Sequence, residues 1–250
     1  MRPRLQLHRV PQLLLHRVPQ LLLIRVHQLL RQAGAELLGT GLLVAVVIGS
    51  GLMAERLTDD PALGLLAASL ATALGLLVLI FVLQPVSGAH LNPVVTLASR
   101  ALGAPHSSLA AAAVIVAQCL GAIGGALLAN AMFGAATNLS TRDRADAPAL
   151  LAELVATAGL VLAILALIRT GRAALVAPAV AAWIGAAYWF TSSTAFANPA
   201  VTLGRMFTDS LAGIAPAAAP WFIGAQLLGG AVGLGLSLLL YPRPQAKEPT

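Results

Sequence analysis

The chain has 250 residues, 58% of them hydrophobic and only 10% charged, with a formal net charge of +6. A soluble domain carries about 25% charged residues, so this composition excludes an ordinary soluble domain and is that of a polytopic membrane protein. The positive excess does not mark nucleic-acid binding, because the arginines gather at segment ends and in the N-terminal tail; a single cysteine, Cys119, rules out an intramolecular disulfide, and the five histidines show no metal-ligand spacing.

Residues 1–32 form a basic tail built on an octapeptide. Leu7-His8-Arg9-Val10-Pro11-Gln12-Leu13-Leu14 recurs unchanged at 15–22 and in degraded form at 23–30. Pro11 and Pro19 read as helix breakers. The tail is expected to be disordered or the product of a mis-called start, with a basic membrane-surface segment as the alternative. Its arginines interrupt any apolar stretch of the kind a secretory signal needs.

Six segments reach the roughly 20 apolar residues that cross a bilayer: 33–54, 63–84, 108–131, 149–168, 174–194 and 214–240. The charges lie between them. Glu55, Arg56, Asp59 and Asp60 follow the first, and Arg142, Asp143, Arg144 and Asp146 precede the fourth, in a connecting loop at 132–148. Arg169 and Arg172 sit in the short turn near 169–173 without an acid. The positive-inside rule then places both termini, including the tail 242–250, and that turn in the cytoplasm, and the 132–148 loop outside.

Between spans two and three lies Ser87-Gly88-Ala89-His90-Leu91-Asn92-Pro93-Val94, and between spans five and six lies Ala195-Phe196-Ala197-Asn198-Pro199-Ala200. Val-Thr-Leu follows each, at 95–97 and 201–203, and these copies hold two of the four asparagines in the chain. Asn is a helix-cap residue and Pro suits the first helical turn. A polar cap in hydrocarbon surroundings is tolerated only where it lines a cavity or is buried in protein. Both segments are too short to cross and read as re-entrant loops with half-helices, near 92–101 and 198–207.

The order of motifs repeats. Ala35-Glu36-Leu37 opens the first span and Ala152-Glu153-Leu154 the fourth; Ala117-Gln118-Cys119-Leu120-Gly121 and Ala225-Gln226-Leu227-Leu228-Gly229 close the two copies. Each copy, 33–131 and 149–241, holds three spans, so the second inserts upside down relative to the first. The fold class expected is all-α membrane, with six transmembrane helices and two half-helices in an inverted repeat. Glu36 and Glu153 are carboxylates inside spans, expected to face the interior and accept hydrogen bonds from the re-entrant loops. His90 is expected near the cytoplasmic mouth of a central site. Glycines 121, 124, 125, 229, 230 and 233 read as helix contacts.

These motifs resemble those of the major intrinsic protein family, the aquaporins and aquaglyceroporins, over about 33–241. The resemblance implies a passive channel with no cofactor, usually a homotetramer in the membrane bilayer with one pore per subunit. Asn92, Pro93, Val94 and Asn198, Pro199, Ala200 become the paired pore motifs, with two half-helix dipoles disfavouring cations. Water and glycerol channels of the family usually carry Arg after the second motif; here that position is Val201. The family's spacing gives a constriction of Thr72, Ala186, Ala195 and Val201, without an aromatic ring, and with Arg205 a turn too far to take the vacant place. That combination is similar to a bacterial aquaglyceroporin subgroup associated with arsenic resistance, which implies arsenite and glycerol as solutes with some water. A general water, glycerol or urea channel is the alternative, and an ion-coupled carrier a further one. No nucleophile–base pair, metal cluster or phosphate loop suggests an enzyme. The inner membrane is the expected location.

Overall fold

A computed structural model describes residues 10–103 and 107–242, with side chains from residue 23 onward. Eight α-helices follow one another among the described residues: α1 (Val10–Leu57), α2 (Pro61–Ser87), α3 (Pro93–Ala101), α4 (Ser108–Phe133), α5 (Ala147–Arg169), α6 (Val176–Phe190), α7 (Pro199–Arg205) and α8 (Ala219–Leu240). A short 3-10 turn, Ala173–Leu175, leads into α6. Six spans are long and apolar enough to cross a membrane, the fifth being α6 together with that turn (Ala173–Phe190), and the helices left over are α3 and α7.

The ends of the spans follow from their capping residues. Asp60 accepts from the backbone N–H of Ala62 and Leu63 at the start of α2, Ser107 from Ala110 at α4, and Asp146 from Ala149 at α5, which satisfies N–H groups that have no partner within the helix. Gly88 ends α2 in the left-handed conformation, at φ 90°, a geometry that side-chain-bearing residues resist.

Three boundaries differ from the sequence reading. The first helix does not begin near 33: it is continuous from Val10, and its stretch long and apolar enough to cross a membrane runs from Leu23 to Leu57. Pro11 lies in the opening turn, where no intrahelical N–H is lost, and a single interior proline at 19 removes one bond from a 48-residue helix. Residues 1–9 and 243–250 lie outside the described residues. The fifth span stops at Phe190, short of 194, where Thr191 turns extended and Thr194 takes φ 62°. The sixth begins at Ala219, after buried Ile214 and a turn.

The two halves repeat in space. α1 packs along α4 as α5 packs along α8, and α2 meets α6 across the middle. Small residues set these contacts. A Cβ on Gly121 or Gly125 would collide with the carbonyl of Leu37 or Gly41, and one on Gly229 or Gly233 with that of Leu154 or Ala158. Close backbone approach of this kind is how helices associate where no hydrophobic driving force acts between them. Gly124 differs from its expected role, since open space surrounds it. α3 and α7 enter from opposite faces and end head to head at the centre, where the site lies.

Candidate functional site

Each re-entrant loop is shaped by a carboxylate on the helix behind it. Glu36, fully buried on α1, accepts from the backbone N–H of His90 at 2.9 Å and Leu91 at 2.7 Å, from Ser87 Oγ at 2.7 Å and from Gln118 Nε2 at 2.7 Å. Glu153, equally buried on α5, accepts from Phe196 N–H at 2.8 Å, Ala197 N–H at 2.8 Å and Gln226 Nε2 at 2.6 Å. The glutamines reach on to the half-helices: Gln118 donates to Thr96 Oγ1 and Gln226 to Thr202 Oγ1. A lone carboxylate inside a span costs roughly 2.5–3.5 kcal/mol even on insertion scales; here four donors meet Glu36 and three meet Glu153. The glutamines were visible in the sequence as repeat markers, yet their bond to the glutamates was not read from it.

The loops bend through left-handed residues at matching places: Ala89 and Leu91 in the first, Ala195 and Ala197 in the second. Such conformations cost of order 1 kcal/mol or more for a residue with a Cβ. They persist because the glutamate fixes two successive N–H groups on one side of each loop. At the tip, Asn92 Oδ1 caps Val94 N–H and Asn198 Oδ1 caps Ala200 and Val201 N–H. Each side-chain amide then crosses to the other loop. Asn92 Nδ2 donates to Ala197 O at 2.7 Å, and Asn198 Nδ2 donates to Leu91 O at 2.7 Å. An amide nitrogen carries two hydrogens, so each asparagine keeps one more donor after the cross-brace is made.

A cavity of about 420 Å³ passes both asparagines. Toward the face where α1 begins and α8 ends, its wall is aliphatic, with Leu160, Ile164, Val176 and Val180, and His90 beside it. His90 Nδ1 lies 3.2 Å from Thr96 Oγ1. Toward the opposite face, Thr72, Ala195 and Val201 line the cavity together. Ala186 does not join them: it is exposed on α6, and Tyr188 takes the expected place. The cavity stripe of α6 is Val180, Ile184 and Tyr188, spaced by four; a residue two positions from Tyr188 points about 200° away around the helix. The Tyr188 hydroxyl is 3.1 Å from Thr72 Oγ1, so an aromatic ring does stand at this end.

A guanidinium stands there too. Arg205 lines the same cavity, one helical turn beyond Val201 and not in its place. Its Nε donates to Ala212 O and its guanidinium covers the Phe196 ring, 3.4 Å from the centroid.

Val94, the departure in the first motif, does not point into the cavity. It faces α8, where a Cβ on Gly230 would collide with Val94 Cγ1. Proline-following residue and opposed helix have exchanged size, so the extra bulk leaves the centre unchanged.

The family model for "Major intrinsic protein" matches residues 24–196. The chain is similar to aquaglyceroporin AqpS of Rhizobium meliloti (strain 1021), at 49% identity over 221 residues, covering 87% of this chain and 94% of that one. It is also similar to aquaporin TIP1-2 of Zea mays, at 35% identity over 186 residues, 70% of this chain and 73% of that one. Among solved structures, the aquaglyceroporin from Plasmodium falciparum superposes with a TM-score of 0.65 at 19% identity, covering 85% of this chain and 95% of that one.

Proposed function

This chain belongs to the major intrinsic protein family, and from that premise we propose that it is a passive pore for small neutral solutes of the polyhydroxyl type, glycerol and arsenous acid, with some water. The observation that carries this reading is the cavity running past Asn92 and Asn198 to an end walled by Thr72, Ala195 and Val201. A hydroxylated solute exchanges hydration for the free amide hydrogens and the loop carbonyls at little cost. An ion does not, because two half-helix N-termini, each worth roughly half a positive charge, meet at the centre. Arsenous acid is neutral near pH 7 and presents three hydroxyls, as glycerol does. The Val201 position, free of a bulky cation, supports a pore wider than one for water alone.

In this reading the bilayer is the bacterial inner membrane, both termini face the cytoplasm, and four copies assemble with a pore in each. The arginines of the 169–173 turn and of the N-terminal segment favour that orientation. One observation favours a general water, glycerol or urea pore instead: Tyr188 narrows the end that Ala186 would have left open. An ion-coupled carrier is disfavoured, since Glu36 and Glu153 are occupied as loop scaffolds.

Stopped-flow measurements on proteoliposomes, comparing water, glycerol and arsenite in one preparation, test the proposal. Entry of glycerol and arsenite that rises linearly with concentration is the expected result. Fast water movement without solute entry would sink the wide-pore reading, and saturable, ion-coupled uptake would replace it with a carrier.

A further inference from the structure

We infer that Arg205 is a second charge barrier of this pore, beside the half-helix N-termini, and its outermost hydrogen-bond donor, placed one helical turn beyond the constriction that Val201 leaves wide. The inference rests on the pore reading above and adds a residue to it.

Arg205 is only 3% exposed, at the end of α7. A charge so placed inside a membrane protein is costly unless it is paired or faces a wetted cavity. No carboxylate bonds to it among the described residues. Its protein partners are the Ala212 carbonyl, which takes Nε–H, and the face of Phe196. A guanidinium has five N–H donors, so the four on the two Nη nitrogens have no protein acceptor among the described residues. Arg205 lines the cavity beside Tyr188, Phe196 and Val201. Whatever fills the cavity there, water or a solute oxygen, must meet those donors.

The side chain is also held at fixed height. Phe196 packs edge-on against Phe222, with centroids 5.1 Å apart. The Arg144 guanidinium, from the loop before α5, lies 5.6 Å from the centroid of the same Phe196 ring and clamps loop 211–213: its Nε donates to Gly213 O at 2.7 Å and its Nη2 to Leu211 O at 2.6 Å. Two guanidinium groups therefore grip three consecutive carbonyls around one ring. Both are positive, and a cation approaching this mouth meets their combined field before it reaches Val201. The arrangement separates two tasks. Thr72, Tyr188, Ala195 and Val201 set the width, and Arg205 sets the charge, so a solute broader than water passes while a cation is turned back.

The experiment compares wild type with Arg205→Ala, Arg205→Gln and Arg205→Lys in proteoliposomes, reading glycerol flux and, separately, proton and potassium leak under an imposed potential. Wild type is expected to pass glycerol and exclude cations. Loss of the charge in the alanine and glutamine variants raises the cation leak by about tenfold or more, and lysine restores exclusion because it keeps the charge. A purely structural Arg205 gives a different pattern: all three variants lose glycerol flux or stability together, and none leaks cations. Should the alanine variant fail to fold, the glutamine variant, with its longer polar stem, carries the comparison. Wild type that passes glycerol while both neutral variants remain cation-tight overturns this inference alone. Wild type that passes neither glycerol nor water overturns the pore reading and this inference with it.

Discussion

Val94 occupies the space that Gly230 leaves on α8, so that a Cβ on the glycine would strike the valine Cγ1. By the register that relates Asn92 to Asn198 and Gln118 to Gln226, the corresponding pair in the other half is Ala200 and Ala122, both without exposed surface. One side of the molecule has a medium and an absent side chain where the other has two small ones. The sum of sizes is kept while its distribution changes.

Gly230→Ala is accordingly expected to destabilise the protein by about 1–3 kcal/mol, the usual range for overpacking a closed core. Val94→Ala with Gly230→Ala, which copies the arrangement of the other half, should recover most of that loss. Thermal unfolding of purified protein reads both, and glycerol flux should be unchanged in the double variant because neither residue lines the cavity. Equal destabilisation in the single and double variants would show that the two side chains do not share one space.

Glu153→Ala should collapse the second re-entrant loop. It leaves Phe196 N–H, Ala197 N–H and Gln226 Nε2 without their acceptor, and each buried donor so stranded costs roughly 1–3 kcal/mol. Lower melting temperature and abolished solute flux are expected, with Glu153→Gln intermediate since it keeps one acceptor oxygen. A Glu153→Ala protein with normal flux would remove the scaffold role from this carboxylate.

Val201→Arg should reduce glycerol and arsenite flux by about tenfold or more, equivalent to at least ~1.4 kcal/mol added to the barrier, with water flux less affected. Tyr188→Ala should act in the opposite direction and admit bulkier polyols, whereas Ala186→Leu should change neither, because that side chain is exposed away from the cavity. Parallel flux assays with a series of polyols check all three. Sensitivity at 186 and indifference at 188 would restore the spacing-based constriction.

Asp209 predicts a pH effect confined to the loops on the Arg205 side. Its carboxyl accepts from Thr141 N–H at 2.9 Å and from the Thr141 hydroxyl at 3.1 Å. First the backbone bond and then the hydroxyl bond hold it below its ordinary value of 3.8. A depressed folded-state value means that the clasp contributes fully above pH 3.8 and is lost as pH falls through the lower folded value. Hydrogen exchange at the Thr141 amide, expressed as protection, should be flat from neutral pH down toward 4 and fall below it. Asp209→Asn should abolish that pH dependence; persistence of the fall in the asparagine variant would assign it to another group.

The parts of this molecule that could be read from sequence are those where a polar residue interrupts an apolar run. Asn92, Asn198, Glu36 and Glu153 stand out for that reason, and their order exposes the repeat. What escaped is geometry that depends on rotation about a helix axis. Counting from Asn198 back to α6 passes through Thr194, Ala195 and Ala197, all left-handed, so the distance in residues no longer fixes which side chain of α6 faces inward. Tyr188 was missed on that account. The start of the first helix was placed too late for a different reason: Pro11 and Pro19 signal a break locally, while the helix around them is long enough to absorb the loss.

The cross-brace at the centre has a consequence for ancestry. Asn92 bonds the carbonyl beside Asn198, and Asn198 bonds the carbonyl beside Asn92. That reciprocity is the signature of an isologous contact, in which one surface recognises itself. A half-length progenitor able to insert in both senses would have closed the same brace as a homodimer, with no second gene. Fusion of two such copies would release each half from serving both roles. Val94 and Gly230 record that release, because their counterparts in the other half are Ala200 and Ala122, and identical subunits cannot differ at equivalent positions.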